Sequence, residues 1–269
     1  MFQLKLPALP MLTRLRVSQL APIAVQCGIS SSQPRAQIIA ALQGFYQKIR
    51  TEKRDATRRT VLSIDLGLTN LAWARLSCQA SEPKVCLQHW QRTDLNLPDT
   101  YHPREYANVL RGFVCKELLA EPVDHVYIER QRHRTGGMAA VLEPVIRLAL
   151  IEAQLHALLL ANARAPMAST VIPGAVAKYF GLPVGPEKKR AAVQKVVQLL
   201  SEEAIHPACD VAFFHTRGVG KRDDLADCLL QGIAAISFER NCVRFMEAEG
   251  SNHLPAVNCH DNILLQKRV

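Results

Sequence analysis

The sequence predicts an α/β protein. Its sheet is mixed: three antiparallel strands lead, later strands join in parallel, and helices cover both faces. A small helical module precedes it. Three observations carry this. Strand-like runs crowd residues 61 to 91 with short connections between them. Beyond residue 103, helical and strand patterns alternate, the order that builds parallel pairs. Residues 12 to 42 instead hold two apolar stripes at helical spacing.

Residues 1–11, with Pro7 and Pro10 and no clear period, are expected to form a leader. Leu15, Leu20, Ile23 and Ala24 then form one helical stripe, which Cys27-Gly28-Ile29 ends with Gly28 as C-cap. Ser30, Ser31 and Ser32 connect it to a second helix carrying Ile38, Ile39 and Leu42. The module is bounded at 12–46. Residues 47–59, charged and poor in apolar side chains, are expected to be a basic linker.

The main domain is placed at 60–246. Val61 to Ile64 is a buried strand ended by Asp65; Gly67 turns the chain, and Leu71 to Ala74 begins the return strand. Lys84 to Gln91 is the third strand. Residues 93 to 103, with Pro98 and Pro103, form a loop. Tyr106, Val109, Leu110, Phe113 and Leu118 give a helical period that Pro122 breaks. Val123 to Glu129 is a fourth strand, again ending in a carboxylate, and a basic loop runs from Arg130 to Gly137. Ala139 to Ala163 is a long apolar helix. Thr170 to Ile172 is a short strand, and a helix follows Pro173-Gly174 through Tyr179. Glu187 to Glu203 is an amphipathic helix opened by Lys188, Lys189 and Arg190. Residues 205 to 221 read as irregular, Arg222 to Arg240 as the last strong helix, and 247–269 as a polar tail. This succession is the order of an RNase H-like fold.

Composition narrows the function. A net charge of +9 and a pI near 9.3 point to an anionic partner. The eight cysteines include no CxxC pair, which argues for core thiols over disulfides or a zinc site. The run Leu148 to Ala161 is interrupted by Glu152, Gln154 and His156, so no membrane span is expected. The first acidic residue is Glu52, preceded by Lys5, Arg14, Arg16, Arg35, Lys48 and Arg50. An acid-free basic amino end suits organelle import and suits a segment lying on phosphate.

Acidic residues stand at three element ends: Asp65 on the first strand, Glu129 on the fourth, and Asp223, Asp224 and Asp227 on the last helix. In an RNase H-like sheet the first and fourth strands are neighbours, which sets Asp65 beside Glu129. Helical spacing of three and four puts Asp224 or Asp223 on one face with Asp227. Clustered carboxylates repel unless cations intervene. Two magnesium ions about 4 Å apart would neutralise them and make a phosphodiesterase site. Taken singly, Asp65 suits a turn and Asp223 and Asp224 suit a helix N-terminus. Asp227 has no such explanation, because it lies further into an apolar helix.

Two resemblances sharpen this. Leu20, Gly28-Ile29, the serine turn, Arg35 and the Ile39/Leu42 pair resemble a SAP motif, a small helix-turn-helix DNA-binding module. The segments IDLGLTNLAWA, YIERQRHRTG and KRDDLADCLLQG resemble Holliday-junction resolvases of the fungal mitochondrial type, related to bacterial RuvC. That resemblance implies a mitochondrial, homodimeric, metal-dependent endonuclease cutting four-way DNA junctions. Mg2+ is the expected cofactor, two ions per site, with Mn2+ able to substitute, and the ends left would be 5′-phosphate and 3′-hydroxyl. By motif, Asp65, Glu129 and Asp227 carry over as metal ligands. The fourth is Asp223 by the mitochondrial spacing or Asp224 by the RuvC spacing. Arg130, Arg132, Arg134, Lys188, Lys189, Arg190, Lys221, Arg222 and, in the helical module, Arg35 are expected DNA contacts, the Arg130 loop foremost because it leaves the strand carrying Glu129.

Two other readings compete. IDLGLTN also resembles the phosphate-binding turn of actin- and Hsp70-like ATPases, but the chain holds no second Asp-x-Gly turn and no P-loop. A non-catalytic junction-binding protein would share the basic loops. It would have no use for an acidic cluster that repels DNA.

Overall fold

The sheet grows outward from β1 (Arg58–Asp65). Its Leu62 and Ile64 enter the core on one face, which leaves Ser63 and Asp65 for the other by the period of two of an extended chain. β2 (Leu71–Gln79) and β3 (Val85–Thr93) follow as antiparallel neighbours. β4 (His125–Glu129) pairs with β1 in parallel, and β5 (Met167–Val171) extends that edge. β6 (Ile205–Pro207) pairs in parallel with β3, so the six-stranded order is β5-β4-β1-β2-β3-β6. This computed structural model describes residues 12–51, 58–79, 84–131, 142–162, 167–215 and 222–247. The chain divides into two units, Asp55–Ala235 and a smaller one made of Met1–Arg54 with Ile236–Val269.

In the larger unit, α3 (Pro103–Phe113), a π-helical turn (Val114–Leu118) and α4 (Glu143–Ala161) share one core with the sheet. Trp73, Tyr106, Phe113, Ile151 and Leu155 lie in it, each burial contributing about 1.5–3 kcal/mol before conformational entropy is subtracted. The buried Arg75 guanidinium donates to the Leu118 carbonyl at 3.0 Å, satisfying one end of the π-helical turn. α5 (Pro173–Phe180), α6 (Lys188–Ser201) and α7 (Ala212–His215) precede the 26-residue α8 (Arg222–Glu247). α8 packs on the face opposite α3 and α4: the Trp90 indole donates to the Leu225 carbonyl at 3.0 Å.

In the smaller unit, α1 (Val17–Gln26) and α2 (Arg35–Thr51) bury Leu20, Ile23, Ile38 and Leu42 with Cys242 and Phe245 of α8. α1 ends as the sequence predicts. Gly28 takes φ +68°, Ile29 N donates to Ala24 O at 2.8 Å, and Gly28 N donates to Val25 O at 3.1 Å. Any Cβ there would also lie 2.4 Å from the Phe238 ring.

Several elements differ from expectation. The expected linker begins inside α2, because Ile49 is buried in the helical core despite its charged neighbours. β6 lies in the stretch read as irregular; three residues are too few to show a strand period. α8 runs past Arg240 to Glu247, and the unit boundary falls within it at Ile236. α4 is, by length and composition, apolar enough to cross a membrane, because three polar residues do not outweigh the rest. Ile151, Leu155 and Leu159 are nevertheless core residues.

Candidate active site

The site forms where β1, β4 and α8 meet. β1 ends at Asp65, and a tight turn follows. At Gly67 a Cβ would sit 2.5 Å from the Asn70 carbonyl oxygen, so the turn closes only without a side chain. The β1–β4 register pairs Ser63 with Tyr127 and Ile64 with Ile128. The next position in parallel places Asp65 beside Glu129, and the pleat aims both at the face covered by α8. α8 supplies Asp223 and Asp224 in its first turn, where the backbone dipole favours anions. Asp227 follows one turn later on the same side.

Burial and neighbouring charges act on these carboxylates. Burial pushes the Asp65 carboxyl well above the usual carboxylate range, and a hydrogen bond with Glu129 and the charges of Glu129, Asp227 and Asp224 push it further. Burial also raises Asp227, opposed by Lys188 and assisted by the charges of Glu129 and Asp223. At Asp223 burial acts upward too, but the Lys189 hydrogen bond and backbone amides outweigh it and hold the group low. The Lys188 ammonium lies 3.4 Å from Asp227 Oδ2, and Lys189 donates to Asp223 Oδ2.

Lys188, Lys189 and Arg190 open α6 at the positive end of its dipole, a placement that costs about 0.3–1 kcal/mol each. The α8 carboxylates offset this for the two lysines. Among the described residues, no three His, Cys, Asp or Glu side chains stand ready around one ion. The carboxylates are engaged instead with one another and with the lysines. The donor set still fits a hard divalent cation: it is oxygen-only, anionic and mutually repulsive.

The other expected residues are placed unevenly. Arg130 and Arg190 are exposed, and the Arg130 amide donates to the Val171 carbonyl at 2.9 Å. Glu152 holds the following residue by accepting from Gln131 N at 3.1 Å. Arg222 donates to the Phe214 carbonyl at 2.8 Å and lies over that ring, so it anchors α7. Arg35 donates to the carbonyls of Leu15, at 2.9 Å, and Thr13, fastening the turn before α1. Arg132, Arg134 and Lys221 lie outside the described residues.

Sequence reading passed over a buried polar group beneath the acids: Ser63, Cys228 and Gln231. The Ser63 hydroxyl donates to the Cys228 carbonyl at 2.8 Å, and the Cys228 thiol returns a bond to the Ser63 carbonyl at 3.1 Å. The Gln231 amide contacts Ser63 Oγ at 3.1 Å, Ile64 O at 3.0 Å and Tyr127 O at 3.3 Å. The visible signal was a lone polar residue in each of two apolar runs, VLSI and CLLQGIAAI.

Residues 61–204, more than half of the chain, match the family described as mitochondrial resolvase Ydc2 / RNA splicing MRS1. The mitochondrial cruciform cutting endonuclease 1 of Saccharomyces cerevisiae is 29% identical over 118 residues, 40% of this chain and 33% of that protein. Its Schizosaccharomyces pombe counterpart is 26% identical over 196 residues, 63% of this chain and 74% of that one. The chain thus spans about a third of the first relative's length and about three quarters of the second's. The crystal structure of the yeast mitochondrial Holliday junction resolvase Ydc2 superposes with a TM-score of 0.67 at 21% identity, covering 87% of this chain and 98% of that one. The fold is therefore the same.

Proposed function

This chain belongs to the family of the mitochondrial resolvase Ydc2 and the RNA-splicing protein MRS1, and from that premise we propose that it is a mitochondrial endonuclease that resolves four-way DNA junctions. The observation that carries the nuclease reading, rather than the splicing branch of the family name, is the convergence of Asp65, Glu129 and Asp227 from β1, β4 and α8, close enough that Glu129 and Asp227 raise Asp65 and Glu129 helps to raise Asp227. A protein that only bound nucleic acid would gain nothing from anions gathered at its centre.

Asp65, Glu129 and Asp227 would hold divalent cations, Mg2+ or Mn2+, two per site, with Asp223 and Asp224 as alternatives for the fourth ligand. Such cations, when bound, supply an activated water at neutral pH and offset charge on the leaving oxygen. The chain's own groups do the rest. Asp65, raised by burial and by its hydrogen bond with Glu129, must give up its proton for a cation to enter. Lys188 and Lys189 sit at the rim, placed to turn from the carboxylates to non-bridging phosphate oxygens. Arg130 and Arg190 add phosphate contacts, and the nicks leave 5′-phosphate and 3′-hydroxyl ends. In the smaller unit, exposed Arg14 and Arg16 are separate phosphate contacts as part of the SAP-like module.

The junction's two equivalent strands call for a C2 homodimer. α4 offers the surface: Ile146, Ala153, Ala157 and Leu160 are exposed at heptad spacing, Leu160 at 80%. Cleavage of a synthetic four-way junction in Mg2+ tests the proposal, and a protein that binds the junction but never nicks it refutes it.

A further inference from the structure

Gln231 has no part in the carboxylate chemistry, yet it sits at the point where all three acid-bearing elements meet. It is 3% exposed. Its side-chain nitrogen approaches Ile64 O at 3.0 Å, Tyr127 O at 3.3 Å and Ser63 Oγ at 3.1 Å. Two of these partners are backbone carbonyls, which only accept. The group facing them must therefore be the amide NH2, whose two hydrogens are shared among three acceptors.

The positions of those acceptors matter. Ile64 immediately precedes Asp65 on β1. Tyr127 stands two residues before Glu129 on β4. Gln231 itself lies one helical turn after Asp227 on α8. One amide thus ties the backbones of both strands, directly beneath their terminal carboxylates, to the turn that carries the third. Gly232 makes the reach possible: a Cβ there would fall 2.9 Å from Ser63 Cβ and 2.5 Å from Leu76 Cδ1, so α8 approaches β1 and β2 without side-chain clearance. The reciprocal Ser63–Cys228 bonds secure the same contact one turn earlier.

We propose that Gln231 is a positioning residue: its buried amide sets the spacing of Asp65, Glu129 and Asp227 and so determines how tightly they hold a divalent cation. This rests on the nuclease reading. Groups that orient metal ligands without touching the ion commonly change affinity by about 10- to 100-fold.

The test uses the full chain and Mn2+ as probe. Free Mn2+ is titrated by electron paramagnetic resonance, and single-turnover cleavage is measured at saturating junction. Gln231→Met keeps length and bulk but has no donor. The expected result is Mn2+ binding weakened about 10- to 100-fold, slower single-turnover cleavage, and unchanged junction affinity in chelator. Ser63→Ala, a milder lesion that removes one hydrogen-bonding hydroxyl, weakens Mn2+ binding about fivefold, and it decides the matter should Gln231→Met not fold. Leu110→Ala opens a hole elsewhere in the core and controls for general destabilisation; it keeps wild-type Mn2+ affinity. The proposal is overturned by wild-type Mn2+ binding in the folded Gln231 or Ser63 variant, or by an equal loss in Leu110→Ala. Wild-type protein that neither binds Mn2+ nor nicks the junction overturns the nuclease reading instead.

Discussion

Gly232→Ala sets two effects of opposite sign against each other. By helix propensity alone, alanine inside α8 would stabilise the protein by about 0.8–1.0 kcal/mol. The packing says otherwise. The new methyl would stand 2.5 Å from Leu76 Cδ1 and 2.9 Å from Ser63 Cβ, well inside van der Waals contact. Leu76 is fully buried and cannot swing aside, and Ser63 Cβ is fixed to the β1 backbone. Overpacking of this kind costs about 1–3 kcal/mol. The net expectation is a loss of roughly 1 kcal/mol, or a Tm lower by about 2–4 °C. α8 relieves the clash by moving off the sheet, and Asp227 moves with it. Cleavage should therefore fall further than the loss of folded protein explains. Urea denaturation gives the first quantity, and single-turnover cleavage at saturating junction and Mg2+ gives the second. A variant about 1 kcal/mol more stable than wild type, cutting at the wild-type rate, would show that the helix has clearance at this point and that the contact is not what spaces the acids.

Asp65→Asn should reduce cleavage more than about 100-fold while junction binding in chelator holds or tightens, since one anion is gone; wild-type cutting in Mg2+ would remove Asp65 from the site. In chelator, the raised Asp65 pKa means the folded state binds the extra proton, so stability should decline as pH rises from about 4 through the folded pKa. Asp65→Asn should flatten that decline in a Tm-against-pH series. Asp223, held low, contributes the opposite trend, but only at more acid pH. Leu160→Lys places a charge on the exposed α4 stripe and should yield a monomer by sedimentation, with nicked circles preceding linear product on a cruciform plasmid; an undisturbed dimer would move the interface elsewhere. Arg14→Ala with Arg16→Ala should lower the salt-dependence slope of junction binding by roughly 2. Whole removal of the amino-terminal helices is a poor substitute, because Cys242 and Phe245 are buried against them.

The strand ends at Asp65 and Glu129 were legible because local pattern decides them: an apolar run, a carboxylate, then a turn. Period two sets which way each side chain points along its own strand, and the β1–β4 register then brings both to one face. The α1 cap at Gly28 was legible for the same reason, since left-handed backbone is a property of one residue and its immediate neighbours. What the sequence could not show depends on partners distant in the chain. β6 exists only through its pairing with β3, and Ile49 extends α2 only because a core receives it. Lys188 and Lys189 read as exposed cations for phosphate, but the fold first sets them against Asp227 and Asp223. Gln231 and Ser63 were single polar letters in apolar runs. They became a clamp only once α8 lay on β1 closely enough for an amide to reach two strands. A hydrogen bond requires donor and acceptor within about 3 Å, and between residues more than a hundred positions apart only the tertiary structure decides that distance.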